Sequence, residues 1–302
     1  MSEMKRAKVR KAVLPVAGLG TRFLPVTKSI PKEMLPIVDV PSIQLIVEEC
    51  VGAGIEEIIL VTARGKSALE EHFDRAGELE ALLEKRGKTA DLARARKPTE
   101  LARIVSVRQA EARGLGHAVL CAREAVGDEP FAVVLGDDLL DARVPGVRQV
   151  VDVYERWGTG VVGLKEVPAG QEHMYGIVEG TNVGGREWKL SRLVEKPAPG
   201  TAPSRLAAIG RYVLPAEIFE ILAQTAPGRG GEIQLTDGLA TLCARRGLHG
   251  VEMAGQRFDA GDRAGYVLAQ LHWALKRPEI AAEVRSGAKR ILEATPDPES
   301  GA

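Results

Sequence analysis

Aromatic residues make up only 4% of this 302-residue chain, cysteine occurs three times, and neither sign of charge is in excess. Each scarcity excludes something. So few aromatics leave no stacking platform for single-stranded nucleic acid. Lysine plus arginine number 41, as do aspartate plus glutamate, so the formal net charge is zero. General binding to nucleic acid or to an anionic membrane needs a surplus of cations, and neither partner is expected. Cys50, Cys121 and Cys243 are scattered, odd in number and form no C-x-x-C. That excludes a disulfide framework and a structural zinc site, and it fits a reducing, cytoplasmic setting. No apolar run nears the roughly 18 residues of a membrane span. The longest, at 58–61 and 131–135, have the length of buried strands. Five basic residues lie between Lys5 and Lys11 with no apolar signal core behind them, and read as a solvated, partly disordered lead-in.

What is present is an alternation of strand-like and helix-like segments. Residues 11–16 are a short apolar run ending in a glycine-rich stretch, a strand feeding a loop. The apolar residues Ile43, Ile46, Val47 and Cys50 then fall on one face of a helix. Asp39 is its expected N-cap, Pro41 is tolerated in the first turn, and Gly52 and Gly54 end it. An apolar strand at 58–62 and a helix over 67–73 follow. Strands without polar alternation, separated by helices, predict a parallel sheet covered on both faces. Residues 77–103 read as a charge-rich helical insertion on the surface, and 104–107 resumes the sheet. Gly114 opens another helix, and the buried strand at 131–135 ends in Gly136-Asp137-Asp138. Beyond about residue 158 strands dominate, near 159–165, 175–180, 189–195 and 206–214, before helices return after Glu232 and Asp262. There is no linker or repeat, so the chain reads as one continuous α/β unit with a strand-rich C-terminal half.

The glycine-rich loop Val16-Ala17-Gly18-Leu19-Gly20-Thr21-Arg22 fails the dinucleotide fingerprint, because Phe23 stands where the third glycine belongs. It fails the P-loop pattern too. Its physics is similar, since glycines let backbone N–H groups approach phosphate oxygens. Arg22, Lys28 and Lys32 follow in a loop stiffened by Pro25, Pro31 and Pro36, a segment suited either to a polyanion or to solvent. Asp137 closes a strand where parallel sheets present ligand-binding groups. A carboxylate there suits Mg²⁺, which takes one or two carboxylates plus substrate phosphates; the plainer role is to cap a turn. Asp138 should face the other way, as a structural group or a ribose contact. Asp259 and Asp262 form a similar pair before a helix, with Asp262 the natural N-cap. Glu195-Lys196 ends a strand-like run and by itself reads as a surface ion pair. The five histidines, His72, His117, His173, His249 and His272, have no metal spacing, and no G-x-S-x-G supplies a nucleophile.

One resemblance orders these pieces. Val13-Leu14-Pro15-Val16-Ala17-Gly18-Leu19-Gly20-Thr21-Arg22 with Pro31-Lys32-Glu33-Met34-Leu35-Pro36 resembles the signature of nucleotidyltransferases that activate sugar 1-phosphates. Gly114-Leu115-Gly116-His117-Ala118-Val119, Tyr175-Gly176, Val194-Glu195-Lys196-Pro197, Gly210-Arg211-Tyr212 and Gly231-Glu232-Ile233-Gln234-Leu235-Thr236-Asp237 extend it. In that order the set is similar to the bacterial members that join UTP to glucose 1-phosphate, over roughly residues 9–280. The resemblance implies a Rossmann-like, mixed, mostly parallel central sheet flanked by helices, with a strand-rich sugar-binding part. It implies one domain over 1–302, with a nucleotide-binding half at about 9–158 and a sugar-binding half with C-terminal helices at about 159–280.

By the same resemblance, Ala17 and Gly18 meet uracil through their backbone, within a nucleotide-binding loop that includes Leu19 and Gly20. Gln109 and Gly114 complete the base pocket. Arg22 and Lys32 bind the triphosphate, Asp137 ligates Mg²⁺, and Asp259 is a second ligand. Gly176 and Glu195 fix the glucose hydroxyls, Lys196 holds the sugar phosphate, and the protein is a homodimer or homotetramer. The implied reaction is in-line attack by the phosphate of glucose 1-phosphate on UTP. Its nucleophile, with a second pKa near ~6, is already mostly dianionic at neutral pH. No general base is then required. Thymidylyl transfer to glucose 1-phosphate and a non-catalytic nucleotide-sugar-binding protein on the same fold are the competing readings; the failed glycine spacing disfavours a nicotinamide enzyme.

Overall fold

The computed structural model describes residues 7–295. In the first half the strands are β1 (Lys11–Pro15), β2 (Pro36–Ile37), β3 (Val40–Pro41), β4 (Glu57–Thr62), β5 (Arg103–Arg108), β6 (Phe131–Val134) and β7 (Asp138–Asp141). The second half adds β8 (Gly160–Glu166), β9 (Gly176–Gly184), β10 (Glu187–Glu195), β11 (Leu206–Leu214), β12 (Leu248–Glu252) and β13 (Gln256–Asp259). Nine of them form a single sheet in the order β5-β4-β1-β6-β11-β8-β12-β10-β9. β5, β4, β1 and β6 are parallel; β11 and β10 alone run against the others. The sheet is therefore mixed, and it passes without a break from one half of the chain to the other.

Strict alternation of buried side chains explains how helices cover both faces. Ala12 and Leu14 of β1, Ile58 and Leu60 of β4, and Ala132 and Val134 of β6 point to one core. Val13, Ile59, Val61, Phe131 and Val133 point to the other. Helices Ser42–Gly52 and Gly146–Trp157 close the first face with Ile43, Ile46, Val47, Val147 and Val150. Helices Leu115–Cys121, Glu217–Gln224 and Leu235–Arg246 close the second, where Phe131 and Phe219 stack at 4.9 Å. Each such side chain removed from water contributes about 1.5–3 kcal/mol. No helix among the described residues is long and apolar enough to cross a membrane.

Local readings are refined at three places. Asp39 is not the N-cap of helix Ser42–Gly52. Pro41 occupies that position, because residues 36–41 form the antiparallel β2–β3 hairpin with Val38 at φ 61°, and Asp39 instead pairs with Arg277 at 2.5 Å. The basic lead-in is solvated where it is described, with Lys8 and Arg10 exposed, while Lys8 pairs with Glu56 at 3.2 Å and Lys11 donates to the Val126 carbonyl at 2.8 Å; Lys5 and Arg6 lie outside the described residues. Helix Glu217–Gln224 adds to the strand-dominated stretch beyond residue 158, and helix Gly146–Trp157 fills the stretch just before it; each buries an apolar stripe.

One buried ion pair ties the two halves. Arg211 of β11 meets Glu49 of helix Ser42–Gly52 through two bonds, Nε–Oε1 at 2.8 Å and Nη2–Oε2 at 2.6 Å. The same Glu49 Oε1 accepts the backbone N–H of Val147 at 2.9 Å, opening helix Gly146–Trp157. Glu49→Ala leaves the buried guanidinium without its partner and should destabilise the fold by about 3–5 kcal/mol. Urea unfolding measures this; a loss below about 1 kcal/mol would mean that water replaces the carboxylate at little cost.

Candidate active site

The site begins where β1 ends. Val16 continues the ladder, its N–H donating to the Val61 carbonyl at 2.9 Å, and the chain then turns through the glycine-rich loop. Gly20 has φ 66°, and a Cβ there would lie 3.1 Å from Lys32 Cβ and 3.2 Å from Thr27 Cγ2, so glycine is required for the loop to fold onto Lys32. Thr27 Oγ1 donates to the Gly20 carbonyl at 2.8 Å and closes the turn. Three short 3₁₀ segments, Thr21–Phe23, Val26–Lys28 and Lys32–Met34, carry the cations. Lys28 stays exposed. Arg22 donates through Nη1 to the Gly261 carbonyl at 3.2 Å, and Arg263 Nε donates back to the Arg22 carbonyl at 2.9 Å. Lys32 Nζ reaches Asp137 Oδ2 at 2.5 Å. The loop thus spans the carboxyl ends of β1 and β6, where open α/β sheets bind ligands.

Asp137 and Asp259 converge, although 122 positions separate them, because β13 folds back antiparallel onto β7 with Asp259 opposite Asp138. A Cβ on Gly261 would meet both carboxylates, Asp137 Oδ2 at 2.6 Å and Asp259 Oδ1 at 3.0 Å. Burial pushes the Asp259 carboxyl up; Arg257 opposes the rise and the Asp137 charge adds to it. Two carboxylates facing one gap beside cationic loop residues form a donor set that fits Mg²⁺ completed by phosphate oxygens. No group of three or more His, Cys, Asp or Glu among the described residues makes a ready cage, so most of the shell would have to come from ligand and water. Asp138 is instead a structural group. It is buried, with Oδ1 accepting Arg257 Nε at 2.8 Å and Oδ2 accepting the Gly210 N–H at 2.9 Å. Asp262 caps helix Arg263–Leu275 through the N–H groups of Ala264 and Gly265.

Beside the loop, Gln109 follows β5 and is buried. Its Nε2 donates to the Gly114 carbonyl at 3.2 Å and approaches His117 Nδ1 at 2.9 Å. Gly114 has φ 97°, and a Cβ there would be 2.7 Å from both Glu232 Cβ and the Ile233 carbonyl oxygen. The 231–237 run therefore lies against the 113–116 turn, stitched by Gly116 N–H to Ile233 O at 2.8 Å and Ile233 N–H to Arg113 O at 2.8 Å. Leu19, at 73% exposure, leaves its side chain in solvent above this end of the sheet.

The remaining expected residues sit where β9 begins and β10 ends. Gly176 pairs with Glu195 across these strands, and a Cβ on Gly176 would be 2.9 Å from Thr236 Oγ1 and 3.2 Å from Glu195 Oε2. Thr236 Oγ1 donates to Glu195 Oε2 at 2.6 Å. Lys196 has φ 42°, a left-handed conformation that a long side chain adopts at an energetic cost, and strain of this kind concentrates at functional sites. Its N–H donates to the Tyr175 carbonyl at 3.0 Å and its Nζ lies 3.4 Å from Glu195 Oε1. Arg257 links this group to the carboxylates: its guanidinium stacks 5.8 Å from the Tyr175 ring centroid while bonding Asp138.

Sequence reasoning gives no role to Thr236, Arg257 or Lys66. Thr236 lies inside the 231–237 motif, but its partner is known only from the fold. Lys66 is buried against Glu33, Nζ to Oε2 at 3.0 Å; burial pushes the Lys66 ammonium down and the Glu33 carboxyl up.

Comparison with known proteins identifies the family. The nucleotidyl transferase family profile matches residues 11–273. The UTP–glucose-1-phosphate uridylyltransferase of Bacillus subtilis strain 168 is 50% identical over 273 residues, 90% of this chain and 94% of that one. A UTP-bound UGPase structure from Acinetobacter baumannii superposes with a TM-score of 0.86 at 43% identity, covering 95% of this chain and all of that one. A UDP-glucose pyrophosphorylase complexed with UDP-glucose gives a TM-score of 0.81 at 40% identity, over 89% of this chain and 100% of that one.

The Lys32–Asp137 contact has a pH signature. Burial works against both charges, yet each outweighs it for the other: Lys32 rises above the usual lysine range and Asp137 falls below the usual carboxylate range. A depressed carboxylate contributes stability that is present above its unfolded pKa, about 3.9, and is lost as pH falls through the folded value. Lys32→Met removes the depression, so Tm should rise less between about pH 2 and about pH 5 in this variant than in the parent. Equal rises in the two proteins would show that the contact does not couple their protonation.

Proposed function

The chain belongs to the nucleotidyl transferase family, and we propose that it forms UDP-glucose and pyrophosphate from UTP and glucose 1-phosphate. The observation that carries the proposal is the Lys32–Asp137 contact beside the glycine-rich loop, joined through Arg257 and Tyr175 to Glu195 and Lys196. Two cationic centres linked by one run of contacts suit the union of two phosphate-bearing substrates.

In the proposed reaction a phosphate oxygen of glucose 1-phosphate attacks the α-phosphorus of UTP. The new P–O bond forms as the α,β-bridging P–O bond breaks, and pyrophosphate leaves with that bond's electron pair. No proton has to move, because the attacking group is mostly dianionic at neutral pH. The work of the protein is to hold two polyanions in line and to balance their charge. Ala17, Gly18, Leu19 and Gly20 offer backbone groups to the nucleotide. Gln109 commits its amide N–H groups to Gly114 and His117, which leaves its carbonyl oxygen as the acceptor suited to the N3–H of uracil; cytosine has no such donor. Arg22 and Lys32 take triphosphate oxygens, with Lys32 exchanging its carboxylate partner for the ligand. A Mg²⁺ ion held by Asp137 and Asp259 would neutralise phosphate charge as a Lewis acid. Glu195, fixed by Thr236, accepts glucose hydroxyls next to the Gly176 backbone, and Lys196 meets the sugar phosphate. Exposed Val267, Leu268, Ile291 and Leu292 on the two C-terminal helices offer apolar surface for the proposed homodimer or homotetramer.

Pyrophosphate release with glucose 1-phosphate and each of UTP, dTTP, CTP and GTP tests the reading. UTP should be strongly preferred, and Gln109→Leu should flatten the UTP-to-CTP ratio of kcat/KM. Lys196→Ala should lower kcat by about 10²–10³ with the fold intact, as for a charge-stabilising donor. Preference for dTTP would move the assignment to thymidylyl transfer, and near-normal kcat in Lys196→Ala would return that lysine to a surface pair.

A further inference from the structure

Lys66 and Glu33 form a charged pair that the proposed chemistry does not touch, and it is deeply buried. Their side chains are 8% and 1% exposed. Lys66 Nζ bonds Glu33 Oε2 at 3.0 Å and also donates to the Val16 carbonyl. Charges are seldom placed so deep, because the desolvation penalty can exceed the attraction. The surroundings of this pair belong to the phosphate end of the site. Glu33 directly follows Lys32, and its own carbonyl accepts Ser42 Oγ at 3.0 Å. Val16 leads into the glycine-rich loop. A Cβ on Gly136, the residue before Asp137, would lie 3.2 Å from both Glu33 Cγ and Val16 Cγ1. A single ammonium–carboxylate contact therefore adjoins the segments that carry Gly18, Lys32 and Asp137.

We propose that Lys66 and Glu33 are positioning residues that fix the glycine-rich loop and Lys32 against Asp137 for the nucleotide, an inference that rests on the uridylyl-transfer reading. Lys66 itself is turned inward, with Nζ on Glu33 and on the Val16 carbonyl. Without that ammonium the Val16 carbonyl would be buried lacking its donor, and the loop would relax toward water to satisfy it. Lys32 moves with Glu33, its chain neighbour. A displacement of about 1 Å at such a group can cost about 10²-fold in rate.

A purely structural pair makes a different prediction. Replacing a buried ion pair by apolar side chains of similar volume is often neutral for stability, so function should then return with the fold. The test is the Glu33→Leu/Lys66→Met double variant, followed by thermal unfolding, steady-state kinetics and amide hydrogen exchange. Positioning predicts a Tm near the parent's, kcat/KM for UTP lower by about 100-fold, and a nearly unchanged KM for glucose 1-phosphate. It also predicts exchange over residues 16–24 faster by at least about tenfold, with the core strands unaffected. Parent-like kcat/KM in a folded double variant, or unchanged exchange in the loop, overturns the proposal. A parent that fails to use UTP defeats the functional reading instead, and the exchange measurement still decides the positioning role. Should the double variant not fold, Glu33→Gln and Glu33→Ala decide together, because only the first keeps an acceptor oxygen for Lys66: near-parent kcat/KM in Glu33→Gln beside about 100-fold loss and faster loop exchange in folded Glu33→Ala supports a positional role, and equal kcat/KM in the two folded variants overturns it.

Discussion

The ammonium of Lys32 against the carboxylate of Asp137 is the contact around which the rest of the site is arranged. It joins a loop that follows β1 to the residue that follows β6 and its short extension, so it can form only if the parallel part of the sheet is in register. It also states the physical problem of the site. If phosphates bind here as proposed, a carboxylate would repel them unless a cation intervened, and Lys32 is the cation that meets Asp137 in the free protein. Under the proposed reaction, phosphate would draw the lysine away only if another positive charge took its place, and the second carboxylate at the same gap, Asp259, would help to hold such a cation.

From this contact the architecture extends in two directions. Inward, Glu33 and Lys66 lie beneath the glycine-rich loop. Outward, Asp138 turns its back on Asp137 and binds Arg257 and the Gly210 N–H, carrying the order of β6 and β7 into β11 and β13. Arg257 then reaches the Tyr175 ring, whose carbonyl holds the strained backbone of Lys196. The continuous sheet supplies the frame, with Arg211 and Glu49 clamping its two halves from one face. Lys196 at one end and Lys32 at the other are thus linked through hydrogen bonds, one cation–π contact and adjacent residues.

Much of this was legible in the sequence, for reasons that are local. Buried strands such as 58–61 announce themselves as short apolar runs, and Asp137 ends such a run at the expected edge of the sheet. The strict period-2 burial of β1, β4 and β6 follows from covering both faces. What stayed hidden depends on distant partners. Asp259 could be placed beside Asp137 only through the β7–β13 pairing, two four-residue strands rich in charge that no apolar pattern marks. Lys66 carries no signal in the sequence, since its partners lie 33 and 50 positions away. The Asp39 cap failed because a preceding hairpin took the chain into the helix through Pro41, a choice made by the β2–β3 pairing and not by capping propensity.

The central claim is that Asp137 serves a cation that mediates between carboxylate and phosphate. Asp137→Asn keeps the size and removes the charge, so UTP binding without metal should be retained or strengthened while the repulsion disappears. Isothermal titration of UTP with and without Mg²⁺, together with Mg²⁺-dependent turnover, makes the measurement. The account predicts turnover lower by at least about 10³-fold at saturating Mg²⁺, with metal-free affinity for UTP no weaker than the parent's. Parent-like Mg²⁺-dependent turnover in Asp137→Asn would contradict it.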